Sequence, residues 1–482
     1  MSRSIKVCLI NPPLVYEKGD VFGSGIPSMP VGVCYLASYL MSEGVDVKLI
    51  DCFGESPNAR HNLKDNYYCL GLDVDDILSR IPEGVDSVGI SVHSAEQYMF
   101  VSRLIKEIKD KLGLQVVVGG GFPTINPCIF IEAGADYIIL GEGELAYVDL
   151  LEGKDPKGID GIASKDFKNA KKDFIEDLDA LPFPAVELLP LDNYWKLGYA
   201  HGPVNGKYLF LITSRGCPFN CNFCVTPKIW QRKWRGRSAK NIVDEIEERV
   251  KGLGVKDFHI QDDLFTLKKE RVIEMCKEIV DRELDITWKI VAGTKVESID
   301  DEMLGWMKKS GCTYISISPE SGSEDVLKLM NKPYDYKKGL EIVSQCHKLG
   351  IKTQACFVLG YPGETKDDLK KSMMYMRELA KAGLDEVGLF IMCPLPGAEV
   401  FGQFNYKGTY EDMNFSPKWR EGFDNINSFR ARMYAGFFTT KLLWHPIKSA
   451  KSLKNLLTKR FETKTEMTVY RVLKRYKEVR QF

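Results

Sequence analysis

Tyr208-Leu209-Phe210-Leu211-Ile212-Thr213-Ser214-Arg215-Gly216-Cys217-Pro218-Phe219-Asn220-Cys221-Asn222-Phe223-Cys224 is a strand-like run leading into a cysteine-rich loop. The apolar run predicts a short buried strand over 208–213. Gly216 and Pro218 predict a loop, as a segment that wraps a metal cluster requires. The three cysteines follow at Cys-x3-Cys-x2-Cys spacing. A structural zinc site asks for a fourth Cys or His close by, and the next candidates, His259 and Cys276, are distant. Three thiolates alone suit a 4Fe–4S cluster in which one iron lacks a protein ligand and is open to a small molecule.

Downstream, the alternation that begins with this strand continues. Strand-like runs at 257–261, 287–291, 314–318, 352–359 and 386–392 are separated by helical patterns at 239–251, 268–282, 300–309, 336–349 and 365–382. Six β-then-α units in series predict an α/β domain built as a parallel barrel, open or closed, smaller than the eight-fold kind. Functional residues then belong just after the strand C-termini. Upstream, strand-like runs at 5–11, 45–51, 87–92, 115–118 and 136–140 alternate with helical segments at 32–42 and 95–112. In the latter Phe100, Leu104, Ile105, Ile108 and Leu112 recur at helical spacing. Five such strands predict a doubly wound, flavodoxin-like (Rossmann-like) domain. The expected division is 1–155 for this domain, 156–205 for a linker or strap, 206–400 for the barrel and 401–482 for a mainly helical basic region.

Composition narrows the class. In 482 residues, 44% are hydrophobic and 27% charged, near the globular average. Thirteen cysteines are too dilute for a secreted disulfide scaffold. The N-terminal run is too short for a signal peptide, and no stretch of 18 apolar residues occurs, so no spanning helix is expected. The expectation is a cytoplasmic enzyme in a reducing compartment. Lys+Arg and Asp+Glu are each 66, but residues 441–482 carry eight Lys and four Arg against three Glu. The zero net charge is thus a cancellation between an acidic body and a basic tail. That tail, with Phe437, Phe438, Leu442, Leu443, Trp444, Ile447, Leu453, Leu456 and Leu457, reads as a helix on an anionic membrane surface or as one packed on the barrel with a solvated basic face. His445-Pro446 argues against a single long helix. Motifs for nucleic-acid binding are absent.

The cysteine segment, with the aromatic Phe223 before its last Cys, resembles the signature of the radical S-adenosylmethionine superfamily, whose fold is a six-unit βα barrel. The resemblance implies that Cys217, Cys221 and Cys224 hold a 4Fe–4S cluster whose open iron binds S-adenosylmethionine. It also implies a 5′-deoxyadenosyl radical that removes hydrogen from a substrate, and an external one-electron reductant such as flavodoxin or ferredoxin. Three later loops match the expected barrel positions. His259-Ile260-Gln261-Asp262-Asp263 follows the second strand, and the family's contact to the methionine amino group falls on Gln261, Asp262 and Asp263. An N-cap with an acidic first turn explains the same residues equally. Ser318-Pro319-Glu320-Ser321 follows the fourth strand, placing Glu320 and Ser321 near the ribose and carboxylate, or at the cap of a helix over 324–330. Leu359-Gly360-Tyr361-Pro362-Gly363 follows the fifth, with backbone at Leu359 and Gly360 for adenine, or a plain turn. Trp230 and Trp234 line a pocket or pack on the surface.

Asn11-Pro12-Pro13, Pro30-Val31-Gly32, Gly119-Gly120-Gly121-Phe122-Pro123-Thr124 and Gly141-Glu142-Gly143-Glu144 resemble the cobalamin-binding domain of cobalamin-dependent radical enzymes. The resemblance implies that Pro12, Ser91, His93, Gly119, Gly120, Gly121, Glu142, Gly143 and Glu144 face cobalamin. The histidine motif Asp-x-His-x-x-Gly is absent; Asp257-Phe258-His259 matches its start but lies in the barrel. The functional expectation is a methyltransferase acting on an unactivated carbon of a small-molecule, lipid or pigment substrate. A cyclase or rearrangement enzyme of the same architecture, and an iron–sulfur electron-transfer protein, are the alternatives. No second cysteine triad is present for an auxiliary cluster.

Overall fold

The computed structural model describes residues 4–18, 27–65, 67–404, 406–414 and 416–479. The chain forms two compact units. One comprises Met1–Lys196, Cys224–Gln231 and Pro394–Asn414; the other comprises Leu197–Phe223, Arg232–Cys393 and Phe415–Phe482.

In the first unit the strands are β1 (Lys6–Asn11), β2 (Leu14–Glu17), β3 (Asp46–Asp51), β4 (Arg60–Lys64), β5 (Tyr67–Leu70), β6 (Ser87–Ser91), β7 (Gln115–Gly119), β8 (Tyr137–Ile139) and β9 (Ile162–Ala163). The main sheet runs β3-β1-β6-β7-β8-β9. Its first five strands are parallel and β9 is antiparallel to β8. This is the doubly wound order, with the switch point between β1 and β6. Val7, Leu9, Ile10, Val88, Ile90, Val116 and Val118 are buried, as expected of strands covered on both faces. The helix Tyr98–Leu112 buries Phe100, Val101, Leu104, Ile105 and Ile108, while Leu112 at its end is exposed.

A second, antiparallel sheet, β2-β5-β4, was not expected. Its β4, Arg60-His61-Asn62-Leu63-Lys64, carries little apolar alternation to mark it as a strand. The strap is fastened rather than loose. Tyr194 Oη donates to Asp51 Oδ2 at 2.7 Å, and the Ile175 amide donates to Glu142 at 2.9 Å.

In the second unit the strands are β10 (Tyr208–Leu211), β11 (Ser214–Arg215), β12 (Arg235–Gly236), β13 (Asp257–Ile260), β14 (Thr287–Ile290), β15 (Cys312–Glu320), β16 (Lys352–Leu359) and β17 (Glu386–Ile391). Strands β10-β13-β14-β15-β16-β17 form one parallel sheet in chain order, the incomplete βα barrel that the periodicity predicts. Helix starts follow capping chemistry. Ser238 accepts from the Asn241 amide, and Thr365 and Asp368 form a capping box.

The C-terminal region is three helices, Phe423–Trp444, Pro446–Thr458 and Lys464–Val479, and His445-Pro446 does interrupt the first two. The first covers the edge strand: the Leu389 amide of β17 donates to Tyr434 Oη at 3.3 Å. The third is capped by buried Glu386, which accepts from the Lys464 and Thr465 amides at 3.1 and 2.6 Å. Both therefore pack on the barrel. No helix among the described residues is long and apolar enough to cross a membrane.

At the N-terminal end of the barrel, Asp257 accepts from Lys289 and lies 3.2 Å from His259 Nε2, all fully buried. Burial alone would raise Asp257, but His259 and Lys289 hold it well below the usual carboxylate range. His259 is thereby committed to the barrel interior.

Candidate functional site

The cysteine loop leaves the C-terminal end of β10 through a two-stranded neck, β11 paired with β12. Asp262, just beyond β13, holds that neck. Its carboxylate accepts from the Thr213 amide at 2.7 Å, and from Thr213 Oγ1 and Ser214 Oγ at 2.6 Å each. Arg271 stands 3.9 Å away and also donates to Thr213 O at 3.1 Å. Asp263, exposed, accepts from the Gly216 amide at 3.1 Å. Gly293 makes the close approach workable. Its φ is +76°, and a Cβ there would lie 2.3 Å from Asp262 O.

Farther along, the loop is pinned between its cysteines. The Asn222 amide donates to Met330 O at 3.0 Å, its side chain to Leu329 O at 2.8 Å, and Asn331 to Asn220 O at 2.8 Å. Cys217, Cys221 and Cys224 are half-buried. Of the other ten cysteines, seven are buried, Cys356 and Cys393 are half-buried and Cys128 is exposed. Burial pushes the Cys8, Cys69, Cys276 and Cys346 thiols up to about 12, so these stay protonated and inert.

Two cations lie over the aromatic rings of the loop. Lys295 Nζ is 3.8 Å from the Phe219 ring centroid and Lys332 Nζ is 5.9 Å from that of Phe223. Lys332 also donates to Glu320 Oε1. Burial alone would lower Lys332, but Glu320, with Cys221 and Cys356, lifts it above the ordinary lysine value. Glu320 ends β15 at φ +62°, after a register shift in the ladder with β16. A non-glycine residue held there is strained, a feature that clusters at functional sites.

Ser321 is buried behind Glu320, 3.2 Å from Ser372 Oγ, and accepts from the Ser323 amide. At the end of β16, Leu359 is buried and its carbonyl accepts from the Met392 amide at 2.8 Å. The Gly360 amide donates to Glu364 at 2.5 Å, and its carbonyl accepts from Arg420 at 2.6 Å. Burial raises Glu364 to about 7. Gln261 is half-buried, with its amide on Leu211 O at 2.9 Å. Trp234 packs on the surface, donating to Leu264 O at 2.9 Å beneath Lys268 and Arg271. Trp230 rests against Phe174.

In the first unit, Pro12, Ser91, His93 and Gly119–Gly121 all lie at or just past the C-terminal ends of β1, β6 and β7, flanking the switch point where doubly wound sheets bind ligands. His93 is exposed. Gly120 is compelled: its φ is +109° and a Cβ would lie 2.4 Å from Val92 O. Gln97, which sequence reasoning passed over, ties these loops together. It accepts from the His93 and Ser94 amides at 3.1 and 3.2 Å and donates to Pro13 O at 3.1 Å. Glu142 and Glu144 are buried, and Glu142 serves the strap at Ile175. Gly143 packs near Leu36.

The radical SAM superfamily model matches residues 211–376, and the B12 binding domain model matches residues 24–151. The chain therefore carries a B12-binding domain followed by a radical SAM domain. An uncharacterized methyltransferase of Pyrococcus horikoshii is 29% identical over 83% of this chain and 83% of its own. An anaerobic magnesium-protoporphyrin IX monomethyl ester cyclase of Rubrivivax gelatinosus is 27% identical over 84% of this chain and 70% of its own. The solved radical SAM methyltransferase TsrM from Kitasatospora setae, with cobalamin and a [4Fe-4S] cluster bound, shares the fold at TM-score 0.64. It has 18% identity over 83% of this chain and 75% of its own.

A radical SAM domain behind a B12 domain makes a 4Fe–4S cluster, S-adenosylmethionine and cobalamin the cofactors. The residues present fit them. Three thiols sit on an anchored loop beside two cations, the donor set and charge an anionic cluster requires. Gly119, Gly120 and Gly121 add no side chains of their own at the switch point after β7. Sequence reasoning missed Lys332, Arg420, Glu364 and Gln97. Lys332, the residue after the Asn331 turn, was signalled only by its nearness to the Glu320 loop.

Proposed function

We propose that this radical SAM enzyme is a C-methyltransferase acting on an unactivated carbon of a small-molecule or lipid substrate. The observation that carries it is the anchored Cys217–Cys224 loop at the C-terminal end of the first barrel strand, in a chain that also bears a B12 domain. In this reading Cys217, Cys221 and Cys224 hold the cluster. Reduced by an external electron donor, the cluster with S-adenosylmethionine supplies a 5′-deoxyadenosyl radical, and cobalamin supplies the methyl group.

The chain's own residues bind and orient. Glu320 offers its carboxylate to the ribose and Lys332 holds it there. Gln261 and Asp263 stay assigned to the methionine ammonium. Asp262, with its oxygens turned to Thr213 and Ser214, is a positioning residue for the cysteine loop. Ser321, Leu359 and Gly360 shape the cosubstrate pocket through the backbone, with Arg420 and Glu364 fixing Gly360. Pro12, Ser91, His93, Gly119, Gly120 and Gly121 form the cobalamin seat, with Gly143 behind it and Glu142 and Glu144 bracing the strap and helix. Residues 1–155, 156–205, 206–400 and 401–482 are the functional segments of this reading.

A second reading, ring closure or rearrangement, is supported by the similarity to the cyclase. Anaerobic turnover with methyl-labelled S-adenosylmethionine separates the two. Label in the product supports methyl transfer, and 5′-deoxyadenosine with an unlabelled, altered product supports the second reading. Replacing any of Cys217, Cys221 or Cys224 by Ala is expected to abolish 5′-deoxyadenosine. An absorption titration with cobalamin that shows no uptake overturns the methyl-transfer proposal.

A further inference from the structure

The helix Pro446–Thr458 is inside out. Among its residues only Asn455 is fully buried, whereas Ile447 is 84%, Leu453 62% and Leu457 78% exposed. The end of the preceding helix continues the patch with Phe438, Leu442, Leu443 and Trp444, of which Leu443 is 74% and Trp444 60% exposed. A helix that packs on its own domain turns its apolar stripe inward, and monomeric proteins seldom expose contiguous apolar patches. Asn455 explains the inversion on the inner side. It donates to both carboxylate oxygens of buried Glu466 at 3.2 Å, so the inward face is held by polar contacts.

Charge identifies the occupant. The helix Pro446–Thr458 contains Lys448, Lys451 and Lys454 and no acidic residue. Lys448 is drawn inward to Gly383 O at 2.6 Å, and Lys451 pairs with Glu462 at 2.7 Å. Lys454, Lys459 and Arg460 are exposed beside the apolar residues. A second copy docked by a two-fold axis would set these cations against themselves. An anionic lipid surface accepts both features, apolar side chains below the headgroups and lysines among the phosphates, with Trp444 at the boundary.

The geometry points to a peripheral membrane-docking surface formed by Phe438–Leu457, selective for anionic phospholipid. It is independent of the methyl-transfer reading, because it uses no residue of the cofactor sites. The docking is interfacial, since no described helix is long and apolar enough to span.

The test is co-sedimentation of the full chain with phosphatidylcholine vesicles, with and without phosphatidylglycerol. Binding is expected on the anionic vesicles, weak on phosphatidylcholine alone, and falling with added salt. Ile447→Glu and Leu457→Glu are each expected to weaken it roughly tenfold or more, the value of burying one such side chain. Lys454→Gln, which leaves the apolar patch intact, is expected to weaken it about fivefold. Retention of 5′-deoxyadenosine production in these variants confirms an intact barrel. Failure to sediment with anionic vesicles overturns the proposal. So does undiminished binding by all three variants, and so does a dimer in sedimentation velocity that Ile447→Glu dissolves, which would assign the patch to a second copy.

Discussion

Asp262 offers a sharp test, because its geometry and its sequence position argue for different roles. The carboxylate is buried and accepts three hydrogen bonds from Thr213 and Ser214, the residues just before the cysteine loop. In Asp262→Ala the Ser214 hydroxyl has another acceptor, since Ser214 Oγ already lies 3.3 Å from Leu264 O. The Thr213 amide has none, and Arg271 loses its buried counter-charge. A hydrogen bond to a charged acceptor is worth about 1.5–3 kcal/mol, and stripping one partner from a buried ion pair costs about 3–5 kcal/mol. These overlap, so about 4 kcal/mol is expected for Ala. Asn keeps the shape and one acceptor oxygen but not the charge, and about 1–2 kcal/mol is expected. With a urea slope of ~3 kcal/mol/M, the Ala variant's transition moves down by about 1 M. Iron content after anaerobic reconstitution is expected to fall in the same order, Ala below Asn below wild type. A wild-type urea midpoint and iron content in Asp262→Asn, with a raised KM for S-adenosylmethionine alone, would refute the reasoning and return Asp262 to the cosubstrate's ammonium.

Three further outcomes are expected. Lys332→Met removes a cation coupled to Cys221 and leaves Glu320 without its partner. The cluster potential in a spectroelectrochemical titration is expected to fall, because a neighbouring cation favours the reduced form, and affinity for S-adenosylmethionine is expected to drop with it. Glu364 is raised from 4.5 to about 7 by burial, so the native state binds its proton more tightly than the unfolded state. Its contribution is complete below about pH 4.5 and declines up to about pH 7, by roughly 3 kcal/mol at most. The protection factor of the Gly360 amide, corrected for the intrinsic pH dependence of exchange, is expected to fall across that window in wild type and to stay level in Glu364→Gln. Gly120→Ala forces a Cβ against Val92 O at a φ of +109°. A loss of about 2–3 kcal/mol in the first unit and weakened cobalamin uptake are expected, read by thermal unfolding and absorption titration.

Much of this protein was legible before folding because its signals are local. The Cys-x3-Cys-x2-Cys spacing, the βα alternation and the breaking effect of His445-Pro446 each act within a few residues, and the structure places all three where periodicity did. The basic C-terminus could be counted from the sequence, but its two readings could not be separated there. The first and third helices pack on the barrel while the middle one turns its leucines outward, a choice made by Tyr434, Glu386 and Asn455 reaching distant partners. Strand β4 escaped notice because a polar strand in a small sheet has little hydrophobic alternation to display.

The sequence by itself determined which atoms are available for chemistry, three thiols on one loop and glycines at strand ends, since spacing and backbone freedom are local properties. Only the tertiary structure decided which neighbouring polar groups face those sites and which are consumed in holding them. Asp262 and Asp263 are adjacent in sequence and alike in charge. One is buried under Thr213 and Ser214 and the other is exposed beside Gly216. Glu320 finds Lys332, and Gly360 finds Arg420 sixty residues away. Such partnerships depend on burial, where an unpaired polar group is costly, and burial is a property of the packed chain rather than of any segment.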